Sequence, residues 1–312
     1  MDMWVLVSFL VAGFLLGFLN PDRHKLLVIS GYILHIGLLI LIGIMGARIG
    51  ADEEIIADLA RIGRQSFALA LGGIAGSLLF LKLLTLFNLF SISPGEHKVE
   101  ENEEVISSED DNSLKLTLII FLTVTLGVVA GWFMPGRALP WLEDLTQYAL
   151  AVLFLGVGVD LGFRRHVLQK ILEWGWKLLL IPIFVGIGSV VGTVLTGSLL
   201  GFALNEAGAV GAGFGWYSLS AVLLSELHTV ELGSIAFLTN IMREMMALLT
   251  IPLIARLMGK MIAIGPAGAT SMDVTLPLLK KAGGEEIVIP AFINGVILTA
   301  LVPLLVPFII SL

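Results

Sequence analysis

Two adjacent charges stand in the middle of an apolar run that is long enough to cross a bilayer. The run covers residues 232–255, and the charges are Arg243 and Glu244. Glu244 lies about 18 Å from either end of this helix, at 1.5 Å per residue. A charge at the bilayer centre costs at least about 2.5 to 3.5 kcal/mol, so such groups line a polar path or pair with each other. The pair therefore predicts a transport site or a structural ion pair, and Asn240, one turn earlier, shares the face of Glu244.

A second carboxylate follows a run of small residues. Asp273 ends the sequence GATSMD and lies four residues before Pro277. This pattern favours an unwound turn whose aspartate binds a ligand, and the alternative is an aspartate that caps a helix. A carboxyl group in an apolar interior can take up and release a proton near neutral pH, as a proton-coupled carrier requires.

Neutral polar residues are concentrated in GFGWYSLS, residues 213–220. The glycines let backbones approach closely, and Tyr217, Ser218 and Ser220 supply hydroxyl groups. The segment predicts a tip that lines a substrate site. The alternative is a small-residue helix contact in which Trp216 and Tyr217 anchor the chain at the membrane interface.

The composition indicates an integral membrane protein. The 312 residues are 57% hydrophobic with a mean hydropathy of +0.99, more apolar surface than a soluble fold of this length can bury. The net charge of −7 comes from the acidic block at 96–111, which predicts a solvated loop. There is no cysteine, no metalloprotease, P-loop or hydrolase motif, and no nucleic-acid pattern, so no enzyme, cofactor, metal site or nucleic-acid partner is predicted.

The predicted fold class is an all-α membrane protein with about eight transmembrane helices, inverted repeats and two re-entrant segments. Each span needs about 20 apolar residues. The predicted spans are Met3–Leu19, Leu26–Met45, Ile62–Phe87, Leu116–Met134, Leu142–Leu161, Ile171–Leu200, Leu232–Ala255 and Ile287–Ile310. Two weaker segments, 205–224 and 264–279, are rich in Gly, Ser and Thr and are predicted to be re-entrant.

The positions of basic residues predict the orientation. Cytoplasmic loops carry an excess of Lys and Arg, and basic residues cluster after the first, fifth and seventh spans. They are Arg23, Lys25, Arg164, Arg165, Lys170, Arg256, Lys260, Lys280 and Lys281. Both termini are therefore expected outside, with the acidic loop inside and the two weak segments entering from opposite faces. Arg48, Arg61 and Arg64 fit this orientation less well.

The first six spans contain an internal repeat. GFLNP at Gly17 matches GWFMP at Gly131, and LIGIMGARIG at Leu41 matches LFLGVGVDLG at Leu153. Three spans per unit would invert the second copy, as in many secondary transporters, whereas the alternative is chance similarity between apolar sequences. The predicted units are a first repeat at 1–90, an acidic cytoplasmic loop at 91–113, a second repeat at 114–200 and a transport core at 201–312.

The transport core contains a second repeat of one re-entrant segment and one span. Ser218 and Ser220 correspond to Ser271 and Asp273, and Glu244 corresponds to Thr299. If both tips reach the midplane, helix ends that bind carboxylates and cations would meet there.

Other polar residues in the spans are weaker candidates. Asp160 and Arg48 occupy equivalent repeat positions near span ends, where their side chains can reach water, and His35 is expected to pack within a helix.

The ordered motifs resemble one known family. GFGWYSLS is followed by Ser225 and Glu226, then by Asn240 and the Arg-Glu pair, and then by GATSMD, Leu-Pro at 276–277 and Gly-Gly at 283–284. This set resembles the lysine exporter LysO family of membrane proteins, most specifically over 213–284. The chain departs from the family pattern at Asn294, where some members have histidine, and at 227–231.

The resemblance implies export of L-lysine, and of analogues such as thialysine, across the plasma membrane in exchange for protons. It also implies that Glu244 and Asp273 are functionally required. Lysine carries a net charge of +1, which suits acidic residues, and Arg243 or a hairpin N-terminus would hold its carboxylate. The expected partners are L-lysine, protons and membrane lipid, and a homodimer is left open.

Three alternatives remain at this point. One is an exporter of another cationic amino acid or of a monovalent cation. Another is an intramembrane aspartyl protease with Asp160 and Asp273 as its dyad, although neither has the local glycine pattern of such a protease. A structural scaffold would leave the charges at the midplane unexplained.

Overall fold

A computed structural model of the chain describes residues 3–19, 24–86, 110–134, 139–163 and 175–312, and these are helical with short connections. The α-helices are α1 (Met3–Leu19), α2 (His24–Ala51), α3 (Glu53–Ala57), α4 (Leu59–Leu86), α5 (Asp110–Trp132), α6 (Leu139–Phe163), α7 (Leu180–Leu199), α8 (Leu204–Gly211), α9 (Tyr217–Leu227), α10 (Val230–Leu257), α11 (Ile264–Ala267), α12 (Leu276–Gly283) and α13 (Val288–Ile310). Short 3-10 turns lie at Trp176–Leu179, Met261–Ala263, Gly268–Met272 and Glu285–Ile287.

The eight predicted spans each coincide with a long helix, namely α1, α2, α4, α5, α6, α7, α10 and α13. Among the described residues, five helical segments are long and apolar enough to cross a membrane: Leu59–Leu86, Leu145–Phe163, Trp176–Leu199, Val230–Leu257 and Glu285–Ile310. The described parts of α1, α2 and α5 are shorter apolar helices. An α-helix satisfies its own backbone hydrogen bonds, whereas hydrocarbon offers backbone groups no partners. The fold is therefore that of an all-α membrane protein.

In the first six long helices, each helix of one repeat packs mainly on a helix of the other repeat. α1 packs on α6, and α2 packs on α5, while α4 packs on α7. The repeat relates α1 to α5, α2 to α6 and α4 to α7. Exchanging these partners turns the α1–α6 contact into the α5–α2 contact and leaves the α4–α7 contact unchanged. The helix packing is therefore the one that a two-fold relation between the two copies requires.

Glycines make these crossings close. A Cβ at Gly76 would collide with the carbonyl group of Gly188, and a Cβ at Gly188 would collide with that of Gly76. The repeat-equivalent glycines Gly17 and Gly131 likewise meet the carbonyl groups of Val159 and Ala47. These residues are themselves equivalent, so the sequence repeat is a repeat of interhelical contacts built from small residues.

The described helices form two groups by contact. One contains α1, α2, α5 and α6, here called the four-helix group. The other, called the core group, contains α4 and α7 to α13, because α4 packs on α10 and α7 packs on α8.

Both weak segments, which are predicted to be re-entrant, are broken helices. The first broken segment (204–227) consists of α8 and α9, separated by a turn in which Phe214 and Gly215 have φ of 51° and 98°. The second broken segment (264–283) consists of α11 and α12, separated by a break that begins at Gly268 with φ of 56°. The breaks touch, because Ala269 N–H donates to the Phe214 carbonyl group at 2.8 Å.

Some expectations lie outside the described residues. They include residues 87–109 with most of the acidic loop, Arg23, the basic residues at 164–170, residues 171–174 of the sixth predicted span, and the side chains of Lys25 and His35. Arg48 differs from expectation: its side chain forms an ion pair with Glu226 of α9 instead of reaching water. The half-buried position explains the pairing, since an unpaired charge there is costly.

Candidate functional site

Three carboxylates line one interior cavity between the four-helix group and the two breaks. The cavity has a volume of about 260 Å³, and its acidic residues are Asp160, Glu244 and Asp273. Its remaining lining residues are Leu34, Leu38, Ile120, Leu153, Val157, Leu161, Gly215, Trp216, Tyr217, Ser218, Ala269, Thr270, Met272, Val274 and Thr299. None of these lining residues is Lys, Arg or His. The cavity therefore combines a negative charge with an apolar wall.

Glu244 is the deepest of the three carboxylates. Its helix α10 passes behind both breaks, and Glu244 is 5% exposed. Thr299 of α13, which the second repeat places opposite Glu244, lines the same cavity. The repeat thus pairs two residues that the fold brings to one site.

Asp273 is placed by the end of a 3-10 turn. It follows Gly268–Met272, and its carboxylate accepts a hydrogen bond from Val274 N–H at 2.6 Å. The Asp273 side chain is exposed on the side of the cavity. The bond to Val274 N–H is the local one that the capping alternative predicts, and the carboxylate also lines the cavity.

Asp160, a weaker candidate in the sequence, joins the same cavity from α6. Its repeat equivalent, Arg48, lies outside the cavity and pairs with Glu226. The signal for Asp160 was its repeat position, but sequence could not show which of the two positions faces the breaks.

Arg243 points away from this cavity and into the core group. Its Nε donates to Pro266 O at 3.1 Å, and its Nη2 donates to Gly265 O at 3.0 Å. The guanidinium group also donates to the hydroxyl groups of Ser77 and Ser189. These two serines follow the paired glycines of α4 and α7, so Arg243 lies where the two repeats meet. The carbonyl oxygens near the end of α11 carry partial negative charge, which stabilises the positive guanidinium group of Arg243.

Asn240 shares a helix face with Glu244, but its amide holds the first break. Its Oδ1 accepts from Gly215 N–H at 2.7 Å, and its Nδ2 donates to Ser220 Oγ at 3.2 Å. Neither Asn240 nor Ser220 lines the cavity. Asn240 and Glu244 lie on one helix face, as periodicity predicts, but Asn240 does not line the cavity that Glu244 lines.

Asn294 has the same role at the second break. Its Nδ2 donates to Gly268 O at 2.8 Å and to Ser271 Oγ at 2.9 Å. Both residues are fully buried, and neither lines the cavity. Each break is therefore held by an asparagine of the following long helix and a serine of the segment.

Tyr217 and Ser218 do reach the cavity, at the start of α9. The ring of Tyr217 packs edge-on against Phe237 at a centroid distance of 5.7 Å, which fixes this end of the helix. The structure thus divides the predicted site residues into two sets. Glu244, Asp273, Tyr217 and Ser218 line the cavity, whereas Arg243, Asn240, Ser220, Ser271 and Asn294 support the elements around it.

No group of three or more metal-binding side chains occurs within the described ranges. The three carboxylates are instead spread along the wall of one cavity, where they can attract cations and protons.

The fold and this cavity define a polytopic, all-α membrane protein with an acidic interior site framed by broken helices. A family model for the lysine exporter LysO matches residues 7–96 and 121–310. The chain belongs to the lysine exporter LysO family.

Two relatives support this membership. The Lysine exporter LysO of Escherichia coli strain K12 is 34% identical over 196 residues, which cover 63% of this chain and 63% of that protein. A Haemophilus influenzae protein whose description proposes a lysine exporter is 34% identical over 188 residues, or 59% of this chain and 93% of that protein. The match thus spans less than two thirds of the E. coli relative. No solved structure is significantly similar to the chain.

Proposed function

We propose that the protein exports L-lysine across the plasma membrane in exchange for protons, as a transporter and not as an enzyme. The observation that carries the proposal is the cavity, in which three carboxylates and no described basic residue surround a mainly apolar space. Lysine brings two ammonium groups and an aliphatic stem. The carboxylates would bind the ammonium groups, and side chains such as Leu38, Leu153 and Val157 would contact the stem.

Coupling to protons follows from competition for the same oxygen atoms. A carboxylate that binds an ammonium group must be ionised, and a carboxylate that binds a proton cannot also hold that group. Glu244 and Asp273 would therefore carry either substrate or protons across the membrane. Such mutually exclusive occupancy produces antiport.

The broken helices supply the expected place for this exchange. Irregular backbone at membrane depth is tolerated where protein or a water-filled cavity surrounds it, and both breaks lie against the cavity. The proposed arrangement is two inverted three-helix repeats followed by a transport core, in the bacterial inner membrane with both termini outside. Membrane lipid surrounds the long helices, and a homodimer is compatible with this arrangement.

The substrate range follows from the same chemistry. Thialysine has the charges of lysine and a sulfur atom in its stem, so it would fit the same cavity. Another cationic amino acid or a monovalent cation is the nearest competing substrate. Competition by unlabelled compounds against labelled lysine separates these possibilities.

Proteoliposomes loaded with labelled lysine test the proposal. Efflux is expected to accelerate when the outside is made acidic, and Glu244→Gln is expected to abolish this exchange. Glu53→Gln provides a matched control, because Glu53 is exposed in α3 and is not among the residues that line the cavity. Unchanged lysine/proton exchange in Glu244→Gln would contradict the proposal. If a sodium gradient alone stimulated lysine efflux, Na⁺ and not the proton would be the coupling ion.

A second candidate, an intramembrane aspartyl protease, is favoured by one observation. Asp160 and Asp273, its expected dyad, line the same cavity. Incubating the same proteoliposomes with helical membrane peptides distinguishes the two functions. Peptide cleavage without lysine flux would support the protease, whereas flux without cleavage would support the exporter.

A further inference from the structure

The acidic cavity raises a question about the one negative group of its proposed substrate. Lysine carries an α-carboxylate, and none of the described lining residues has a positive side chain. Arg243 lies next to Glu244 in sequence, but its donors bind Ser77, Ser189 and two α11 carbonyl groups. Among the described lining residues, the groups that can bind a carboxylate are therefore neutral donors.

The start of α9 offers such donors. This 11-residue helix begins at Tyr217, directly after the turn at Phe214 and Gly215, and no side chain caps it. Its first helical hydrogen bond is donated by Ser220 N–H to Trp216 O at 3.1 Å. The N–H groups before it have no intrahelical acceptor, and the positive end of the helix dipole adds to their attraction for an anion.

Ser218 provides an independent observation at the same place. Its side chain is 2% exposed and lines the cavity. Within the described part of the chain, its hydroxyl group has no hydrogen-bond partner, unlike Ser220, which donates to Trp216 O. Buried hydroxyl groups are normally paired, so an unpaired one on a residue that lines a cavity can hydrogen-bond a ligand there.

We infer that the first turn of α9, through the Ser218 backbone N–H and hydroxyl groups, binds the α-carboxylate of the transported amino acid. This inference rests on the proposed function and identifies the subsite that distinguishes an amino acid from a simple amine. Glu244 and Asp273 then bind the ammonium groups from the other side of the cavity. The turn at Gly215 is kept in place by Asn240, so the subsite is formed before the substrate arrives.

Competition against labelled lysine in the wild-type protein gives the first test. Lysinamide and 1,5-diaminopentane keep two amines but lack the carboxylate, at a pH where both amines are protonated. Their charge of +2 would make them the better competitors if only acidic side chains bound the substrate. With a carboxylate subsite, lysine is expected to compete best. Equal or stronger competition by lysinamide would overturn the inference without any variant.

Ser218→Ala gives the second test. Loss of a hydrogen bond to a charged group is expected to weaken lysine competition by about tenfold or more. Competition by lysinamide is expected to stay the same, so the preference for lysine shrinks. Ser218→Thr keeps the hydroxyl group and is expected to restore most of the preference.

The control is Ser225→Ala. Ser225 lies on the same helix and is buried with a hydroxyl group that has no partner among the described residues, but it is absent from the cavity lining, so this change should leave the preference intact. An equal loss for lysine and lysinamide in Ser218→Ala, or no loss, contradicts the subsite. Failure of the wild-type protein to move lysine at all would instead contradict the proposed function, so the two failures are distinguishable.

Discussion

The two broken segments have the same kind of backbone support, but one brings neutral side chains to the cavity and the other brings a carboxylate. In each, an asparagine from the following long helix binds the break and a serine of the segment: Asn240 with Ser220 in the first, Asn294 with Ser271 in the second. The first segment presents neutral donors to the cavity, whereas the second presents Asp273. The two segments thus share a kind of backbone support but bring different side chains to the cavity.

Their outer ends differ as well. α9 packs on α2 of the four-helix group, where Glu226 pairs with Arg48. α12 makes its main contacts with α10 and α13, and its Lys280 pairs with Glu285 at 2.7 Å. The first segment is therefore tied to the four-helix group by charge, while the corresponding ion pair of the second stays within the core group.

The largest effect is expected from removing the charge of the second segment. Asp273→Asn keeps the size of the side chain but cannot hold a proton or pair with an ammonium group, so lysine/proton exchange in proteoliposomes should be abolished. Asp58→Asn, at an exposed surface residue, serves as control. If Asp273→Asn exchanges at the wild-type rate, the chemical difference between the segments has no part in transport.

The next largest effect is expected at Arg243, which bonds directly to the second segment and reaches the first only through Ser189, whose hydroxyl group donates to Gly211 O. Lysine at this position cannot reproduce the planar set of bonds to Gly265 O and Pro266 O, so Arg243→Lys should destabilise the fold by about 2 to 4 kcal/mol. The natural chain has no cysteine, which permits single-cysteine labelling. Arg243→Lys should raise the labelling rate of Val274→Cys and leave that of Trp216→Cys unchanged. Equal increases at both positions would mean that Arg243 supports both breaks.

The two asparagines separate the supports of the breaks more finely. Asn240 also donates to Val210 O and Ala236 O, whereas the Oδ1 atom of Asn294 has no partner among the described residues. Asn240→Ala is therefore expected to cost about 2 to 3 kcal/mol and Asn294→Ala about 1 to 2. Thermal unfolding of the purified variants in one detergent measures the difference, and the reverse order would contradict it.

Hydropathy was sufficient to predict the long helices, because each span must satisfy its backbone over about 30 Å of hydrocarbon. The Gly, Ser and Thr content of 205–224 and 264–279 indicated that these segments are not continuous helices. The glycine and serine matches likewise predicted which positions are equivalent. The direction of individual side chains was not predictable. The partners of Arg243 lie on α4 and α7, far away in sequence, and no local pattern encodes them.

The role of Asn240 shows the same limit at a single residue. Helical periodicity placed it on the face of Glu244, but the turn at Gly215 exposes an N–H group that takes its oxygen. Arg48 was expected to reach water, and the approach of α9 gives it Glu226 instead. Both outcomes depend on where the broken segment sits in three dimensions.

The last comparison is between the ion pairs Arg48–Glu226 and Lys280–Glu285. The Arg48 and Glu226 side chains are 13% and 9% exposed, so Glu226→Gln removes a charged partner of Arg48 at a mostly buried position and should cost about 1 to 3 kcal/mol. The Glu285 side chain is 61% exposed, and Glu285→Gln should cost less than about 0.5 kcal/mol, as surface ion pairs usually do.

Replacing both partners tests the cause of this difference. Arg48→Met with Glu226→Met removes both charges and should be less harmful than Glu226→Gln alone, because no uncompensated charge is left. The double variant would still lose the tie between α9 and α2, so its exchange rate should change more than its stability. If stability and exchange fall in proportion, the ion pair contributes only to folding, and the attachment of the first segment to the four-helix group is not specific to transport.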